Sequence, residues 1–277
     1  MKKILYTLIY NRRLHMVYIF LITVLLVLWF YNENRLHATS VKYNHADTTL
    51  EGYIAYTNYM GRKRPAVLLI NESGGPDSFI KERARKIAKK LGYVAFAVDM
   101  YGEKMRPKDK LEMMTITAAY LEKKELMRSR ARAALHKLLD NNLVDPQRVA
   151  VVGYGFGGSV ALELARSGAD IKGAVSFYGR LDTIPSSGST KTIKARIMTL
   201  RGAGDPFVSR QEVLAFENEM SRSKADWQMI VYGDAAYGFA NPVYNNSVSD
   251  GIIYSKKIDE RAWKTLKLFF REIFEYK

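Results

Sequence analysis

Val149-Ala-Val-Val-Gly-Tyr-Gly-Phe-Gly-Gly158 is the stretch on which the fold turns. Its apolar, β-branched start reads as a buried strand, its glycines as a sharp turn, and the residues from about Gly158 to Ser167 as a helix. Strand, tight turn and helix, with glycines flanking one central residue, is the context of a G-x-nucleophile-x-G elbow. Such an elbow lifts its central side chain above the sheet at a helix N-terminus, and its backbone segments approach closely enough to need glycine. The central residue here is Gly155. Elbow geometry predicts a positive φ at that residue, which costs a non-glycine residue roughly 1–3 kcal/mol; glycine, lacking a Cβ, relaxes it. Gly153-Tyr154-Gly155 also opens as a dinucleotide fingerprint. Against that alternative, the last glycine falls at 158 in a mid-chain unit, and no acidic residue ends the next strand.

Outward from the elbow, strands and helices alternate. Pro65–Ile70 is a continuous apolar run, as in a strand buried on both faces, and Tyr93–Val98 is a second. Leu50–Tyr59 alternates like an edge or hairpin strand, and Leu36–Ala46 reads as polar linker. Ser78–Leu91 has helical spacing, and a long charged helical region runs from about Lys108 to Asn141. Further strands are expected at Arg148–Val152, Ile171–Phe177, Ala195–Leu200 and Trp227–Tyr232, with helices at Gln211–Arg222 and Asp259–Phe274. This order predicts an α/β domain with a mostly parallel central sheet covered by helices on both faces.

The N-terminus reads as an address. Leu14–Tyr31 holds no charged residue apart from His15, and 18 residues of helix span about 27 Å, close to a bilayer's hydrocarbon core. Lys2, Lys3, Arg12 and Arg13 precede the run, which predicts a cytoplasmic N-terminus and an extracytoplasmic domain. A cleaved signal peptide is the rival reading; the length of the run and Trp29-Phe30-Tyr31 at its end favour an anchor. The expected organisation is a basic N-terminus over 1–13, one transmembrane helix over 14–31, a linker over 32–46 and one domain over 47–277.

The formal charge is +15, of which the first 35 residues supply +4. The remaining +11 admits an acidic partner or a membrane surface, or a solvated basic face. No arginine-rich arm or nucleic-acid module is present, so no nucleic-acid partner is expected. The absence of cysteine excludes disulfides, thiolate metal sites and cysteine nucleophiles. No metal and no cofactor are expected.

Several short pieces, in order, carry a family resemblance. They are Asn71-Glu72, Ala97-Val98-Asp99-Met100-Tyr101-Gly102, the elbow, Ala165–Asp170 with Val175-Ser176-Phe177-Tyr178-Gly179, Gly202-Ala203-Gly204-Asp205-Pro206-Phe207-Val208, and Tyr237-Gly238-Phe239-Ala240-Asn241-Pro242. The chain resembles the dienelactone hydrolases from roughly Val41 to Phe274, which implies an α/β-hydrolase fold. In that family the elbow centre is cysteine, an aspartate lies in the G-x-x-D-x-F segment, and a histidine opens the H-x-F segment. The resemblance places Gly155, Asp205 and Tyr237 at those positions, so only the aspartate is retained. Glycine has no nucleophilic atom, and an unperturbed phenol with a pKa of about 10 is no base at neutral pH.

No other residue replaces them. His15, His37, His45 and His136 all precede Asp205, against the hydrolase order of nucleophile, acid, histidine. Ser159 lies one turn beyond the elbow, and Ser73 lacks a basic partner. The resemblance further implies an oxyanion hole from the backbone N–H groups of Phe156 and Ser73, and gives Glu72 the place of an acidic residue beside the resting nucleophile. Glu72 also reads as a solvent-facing turn carboxylate. Asp99 is expected to be structural, Tyr101, Arg106 and Arg180 to line the pocket mouth, and Tyr237 to donate a hydrogen bond to Asp205 while its ring fills space above Gly155. The functional expectation is a membrane-anchored, catalytically degenerate member kept for binding or scaffolding, with a small ester, lactone or carboxylate as ligand. The alternatives are an ester or lactone hydrolase working by another route, with Glu72 or Asp205 activating water, and a structural subunit that uses only its outer surface.

Overall fold

The computed structural model describes residues 15–26, 35–58, 63–102, 105, 107, 109–182, 193–245 and 251–275. Residues 15–26 form a first helix, α1, with exposed side chains. No helix among the described residues is long and apolar enough to cross a membrane. Of the expected 14–31 span, residues 14 and 27–31 lie outside the described residues, as do the basic residues of 1–13.

Eight strands make one sheet: β1 Leu36–His45, β2 Thr48–Thr57, β3 Arg64–Ile70, β4 Val94–Val98, β5 Val144–Tyr154, β6 Gly173–Phe177, β7 Arg196–Gly202 and β8 Trp227–Tyr232. Their order is β1-β2-β4-β3-β5-β6-β7-β8. β1 and β2 pair antiparallel, β2 joins β4 antiparallel, and every later pairing is parallel. β3, β4 and β6 are buried along their whole length, which is why Pro65–Ile70 and Val94–Val98 read as unbroken apolar runs and β6 carries a single polar side chain, Ser176.

The helices form two layers. α2 (Ser78–Leu91) and α7 (Lys256–Glu275) cover one face; α3 (Lys110–Glu122), α4 (Lys124–Leu139), α5 (Phe156–Arg166) and α6 (Arg210–Arg222) cover the other. α2 starts and stops on local chemistry. The Asp77 carboxylate accepts from the Ile80 N–H at 2.9 Å, and Gly92 ends the helix at φ 70°.

Two expectations are corrected. The linker over 32–46 is, from Leu36, strand β1, whose ten residues all pair with β2. One face of an edge strand meets water, so it needs few apolar residues; Tyr43 alone is fully buried, donating its hydroxyl to the Asp99 carbonyl at 2.8 Å. The single helical region from about Lys108 is two helices broken at Lys123 (φ −99°, ψ 63°). No glycine or proline marks the break. It falls where Tyr120 turns inward, its ring edge-on to Tyr101 at 5.0 Å and its hydroxyl accepting from the Arg130 guanidinium.

Candidate functional site

β5 runs into Gly155, and α5 begins at the next residue. Gly155 has φ 52° and ψ −117°, the positive φ expected of an elbow centre. The Gly155 N–H donates to the Phe177 carbonyl at 2.9 Å, and its own carbonyl accepts from the Gly158 N–H at 2.9 Å. A Cβ on Gly157 would strike the backbone at the end of β3, so that glycine is what lets α5 start against the strand.

The space above Gly155 is filled. A Cβ there would collide with the Tyr237 hydroxyl, and would sit 3.3 Å from that ring's Cζ and 3.2 Å from Glu72 Cγ. Tyr237 is held by a bridge to Ile252 and by edge-on contacts with Tyr178 and Phe207, both at 5.0 Å. Burial first, and the Glu72 and Asp205 carboxylates after it, push its phenol well above the usual tyrosine range. It is therefore a hydroxyl at all ordinary pH, able to donate a hydrogen bond but unable to act as a base.

Glu72 is buried and is not a solvent-facing turn carboxylate. Oε1 accepts from the Tyr178 hydroxyl at 2.9 Å and from Asn241 Nδ2 at 3.1 Å, and Oε2 accepts from the Tyr244 hydroxyl at 2.6 Å. Asn71 fixes the turn that delivers it, donating from Nδ2 to the Glu72 carbonyl at 2.6 Å. Burial raises the Glu72 pKa more than the three donors lower it. The folded protein thus binds this proton more tightly than the unfolded chain. The resulting stability is present below the ordinary value of 4.5 and is lost as pH rises through the raised value. Glu72→Gln is expected to flatten that fall by up to about 1.4 kcal/mol per pH unit. Asp205 and Asp77, also raised by burial, keep part of the slope. Urea unfolding across acid to neutral pH measures it; an unchanged slope in the variant contradicts a buried, raised Glu72.

Asp205 is 6% exposed. Oδ1 accepts from the Phe207 N–H at 2.9 Å, while Oδ2 is buried with no hydrogen-bond partner among the described residues. The expected Tyr237–Asp205 hydrogen bond is not made. A phenol's only donor is at the tip of the ring, so Tyr237 carries it past Asp205 to Gly155; an imidazole has a donor nearer its base. Burial raises the Asp205 pKa, against the lowering effects of the Phe207 N–H and Arg201.

The remaining expected residues are placed as follows. Phe156 opens α5, so its N–H precedes the helix's own ladder, and Ser73 is half-buried directly after Glu72. Tyr101 is fully buried, stacked on Phe156 at 5.8 Å, so it belongs to the packing rather than a mouth. Arg180 is exposed beside Asp182 at 3.4 Å, and Arg106 lies outside the described residues. The Asp99 carboxylate accepts from the N–H groups of Glu51, Tyr101 and Gly102. Ser159 donates to the Arg180 carbonyl at 3.3 Å. His136 is exposed on α4 and His37 stacks on Tyr56 in the β1–β2 hairpin. Sequence reasoning missed Tyr178, Asn241 and Tyr244 as partners of Glu72. The first two stand inside the segments that carried the resemblance, but nothing local marks them as hydrogen-bond donors to residue 72.

A cleft of about 680 Å³ opens beside this cluster, between α2, α7 and the Asn241–Val243 turn, with Phe79, Arg83 and Lys86 on its wall. Asn241 separates it from Glu72.

The dienelactone hydrolase family model matches residues 50–274. The solved structure m3DLH superposes with a TM-score of 0.82 at 31% identity, covering 87% of this chain and 99% of that one. A dienelactone hydrolase-like promiscuous phosphotriesterase from metagenomic libraries gives 0.80 at 31% identity, covering 86% and 98%. A protein of Escherichia coli (strain K12) with a provisional carboxymethylenebutenolidase name is 25% identical over 218 residues, 75% of this chain and 77% of that one.

Proposed function

This chain belongs to the dienelactone hydrolase family, and from that premise we propose that it is a member without hydrolytic turnover, kept as a membrane-tethered binding or scaffolding domain. One observation carries the reading: the Tyr237 hydroxyl occupies the point to which a nucleophile's Cβ would project from residue 155. With glycine below and a high-pKa phenol above, the elbow holds neither an attacking atom nor a base to activate one. Glu72 is a poor substitute, because both its oxygens already accept hydrogen bonds. What stays is binding chemistry: the free N–H groups at the start of α5 and a phenolic donor, a setting that suits the carbonyl or carboxylate oxygen of a small ester, lactone or acid. The uncharged run over 14–31, with basic residues before it, supports a single-pass anchor with the domain outside the cytoplasm.

The full chain in detergent is expected to show no labelling by a fluorophosphonate probe and no p-nitrophenyl ester or lactone turnover above the uncatalysed rate. Short carboxylates and lactones are expected to raise its unfolding temperature. Turnover that disappears in Glu72→Gln would replace this reading with hydrolysis by water activated at Glu72.

A further inference from the structure

The two helical layers differ in charge. α3 to α6 together hold nine Lys and Arg against seven Asp and Glu, whereas α2 and α7, just two helices, hold twelve against five. Pairing differs too. On the α3–α6 side Arg128 and Arg166 both bind Glu163, at 2.7 and 2.9 Å, and Arg166 reaches Glu219 at 2.7 Å. On the α2–α7 side Lys89, Lys90, Lys256, Arg261 and Lys264 are exposed and make no ion pair among the described residues.

These cations form one surface. Arg83 meets Asp259 at 2.5 Å, and the Lys86 ammonium sits 4.4 Å over the Trp263 ring. The two helices therefore run side by side over these turns. Glu82, Glu260, Glu272 and Glu275 also face outward on these helices, leaving the layer at a net +7 against +2 on the other face. Both layers carry both signs, and the α2–α7 layer is set apart by the size of its positive excess.

The chain's own path names the occupant. β1 begins at Leu36, whose side chain packs into the core beneath α2 and α7, five residues after the apolar run ends at Tyr31. Five residues reach at most about 18 Å, so this side of the domain is tied close to whatever surface the run enters. We infer that the α2–α7 face is a docking surface for the anionic headgroups of the bilayer that anchors the chain. This rests on reading residues 14–31 as the anchor. Docking here holds the domain in one orientation, with the 680 Å³ cleft between α2 and α7 turned to the membrane.

The chain has no cysteine, so single introduced cysteines report one site each. The full chain, labelled at Arg261→Cys on α7 or at Asn218→Cys on α6, is reconstituted in phosphatidylcholine vesicles with and without phosphatidylglycerol. Energy transfer to a headgroup-labelled lipid is then measured. Transfer from position 261 is expected to rise with phosphatidylglycerol and to fall as salt shortens the screening length from about 10 Å to about 3 Å. Position 218 is expected to respond to neither. Each basic residue at an anionic surface is worth about fivefold in partition, so Lys89→Glu, Lys90→Glu and Lys264→Glu combined should abolish the response at 261. Equal transfer from both positions, no dependence on phosphatidylglycerol, or loss of the response to competing duplex DNA overturns the inference. Release of the chain from phosphatidylcholine vesicles by alkaline carbonate overturns the anchor instead. The docking face then stands or falls on salt-sensitive binding of the same chain to phosphatidylglycerol vesicles.

Discussion

Gly155→Cys is expected to lower unfolding stability by about 2–4 kcal/mol, from two separable causes. A non-glycine residue at φ 52° is strained, for roughly 1–3 kcal/mol. Its Cβ also collides with the Tyr237 hydroxyl, whose ring is wedged among Tyr178, Phe207 and Tyr244 and has little room to retreat. Tyr237→His removes the second cause and leaves the first. The double variant should therefore be more stable than Gly155→Cys alone by about 1–2 kcal/mol, a coupling that independent sites lack. The imidazole would also give Asp205 Oδ2, now buried without a partner among the described residues, a donor. Each single variant is expected to remain inactive, one lacking a base and the other a nucleophile. The double variant is expected to hydrolyse p-nitrophenyl esters at least about tenfold above either, modest beside the 10²–10⁴ that a well-placed general base supplies. Denaturant unfolding and ester turnover on the three variants decide it. Strictly additive stabilities would show that Tyr237 does not occupy the space above Gly155.

Gly157→Ala tests the other half of the elbow, the close contact between α5 and β3. Helix propensity alone predicts that alanine inside α5 stabilises by about 1 kcal/mol. The structure predicts the opposite sign. The added Cβ would lie 2.5 Å from the Asn71 carbonyl oxygen and 2.6 Å from the Ile70 carbonyl carbon, both main-chain atoms at the end of a central strand. Backbone held by strand pairing on both sides yields little, so a loss of about 3–4 kcal/mol is expected, a large share of the 5–15 kcal/mol typical of a domain. Gly233→Ala is the control: its Cβ meets nothing within 4 Å, and it should stay within about 0.5 kcal/mol of the parent. A Gly157→Ala protein as stable as that control would mean that α5 does not pack against β3 as described.

Much of the architecture is legible in the residues taken in order. Pro65–Ile70 and Val94–Val98 are buried on both faces and so are apolar without interruption, and Gly173–Phe177 departs from that only at Ser176. Ser78–Leu91 announces itself by its spacing, its Asp77 cap and Gly92. The elbow is readable for the same reason, since a strained turn followed at once by a packed helix demands glycines at fixed offsets. Where a local signal is weak, reading fails. β1 exposes one face and looks like linker, and the α3–α4 break falls just after Tyr120 turns toward Tyr101 and Arg130, with no breaker residue.

By itself the sequence determined the alternation of strands and helices from β2 onward, apart from the α3–α4 break, together with the elbow with glycine at its centre and the absence of histidine beyond Asp205, because each is a property of a residue and its neighbours within a turn or a strand. Only the tertiary structure decided that the Tyr237 hydroxyl lands over Gly155 rather than on Asp205, that Glu72 is buried beneath three donors, and that two basic helices share a face. The Glu72 partners are 106, 169 and 172 residues away in the chain. No local pattern encodes such a meeting; it follows from the order in which the strands line up in the sheet, and from the length of a phenol compared with an imidazole.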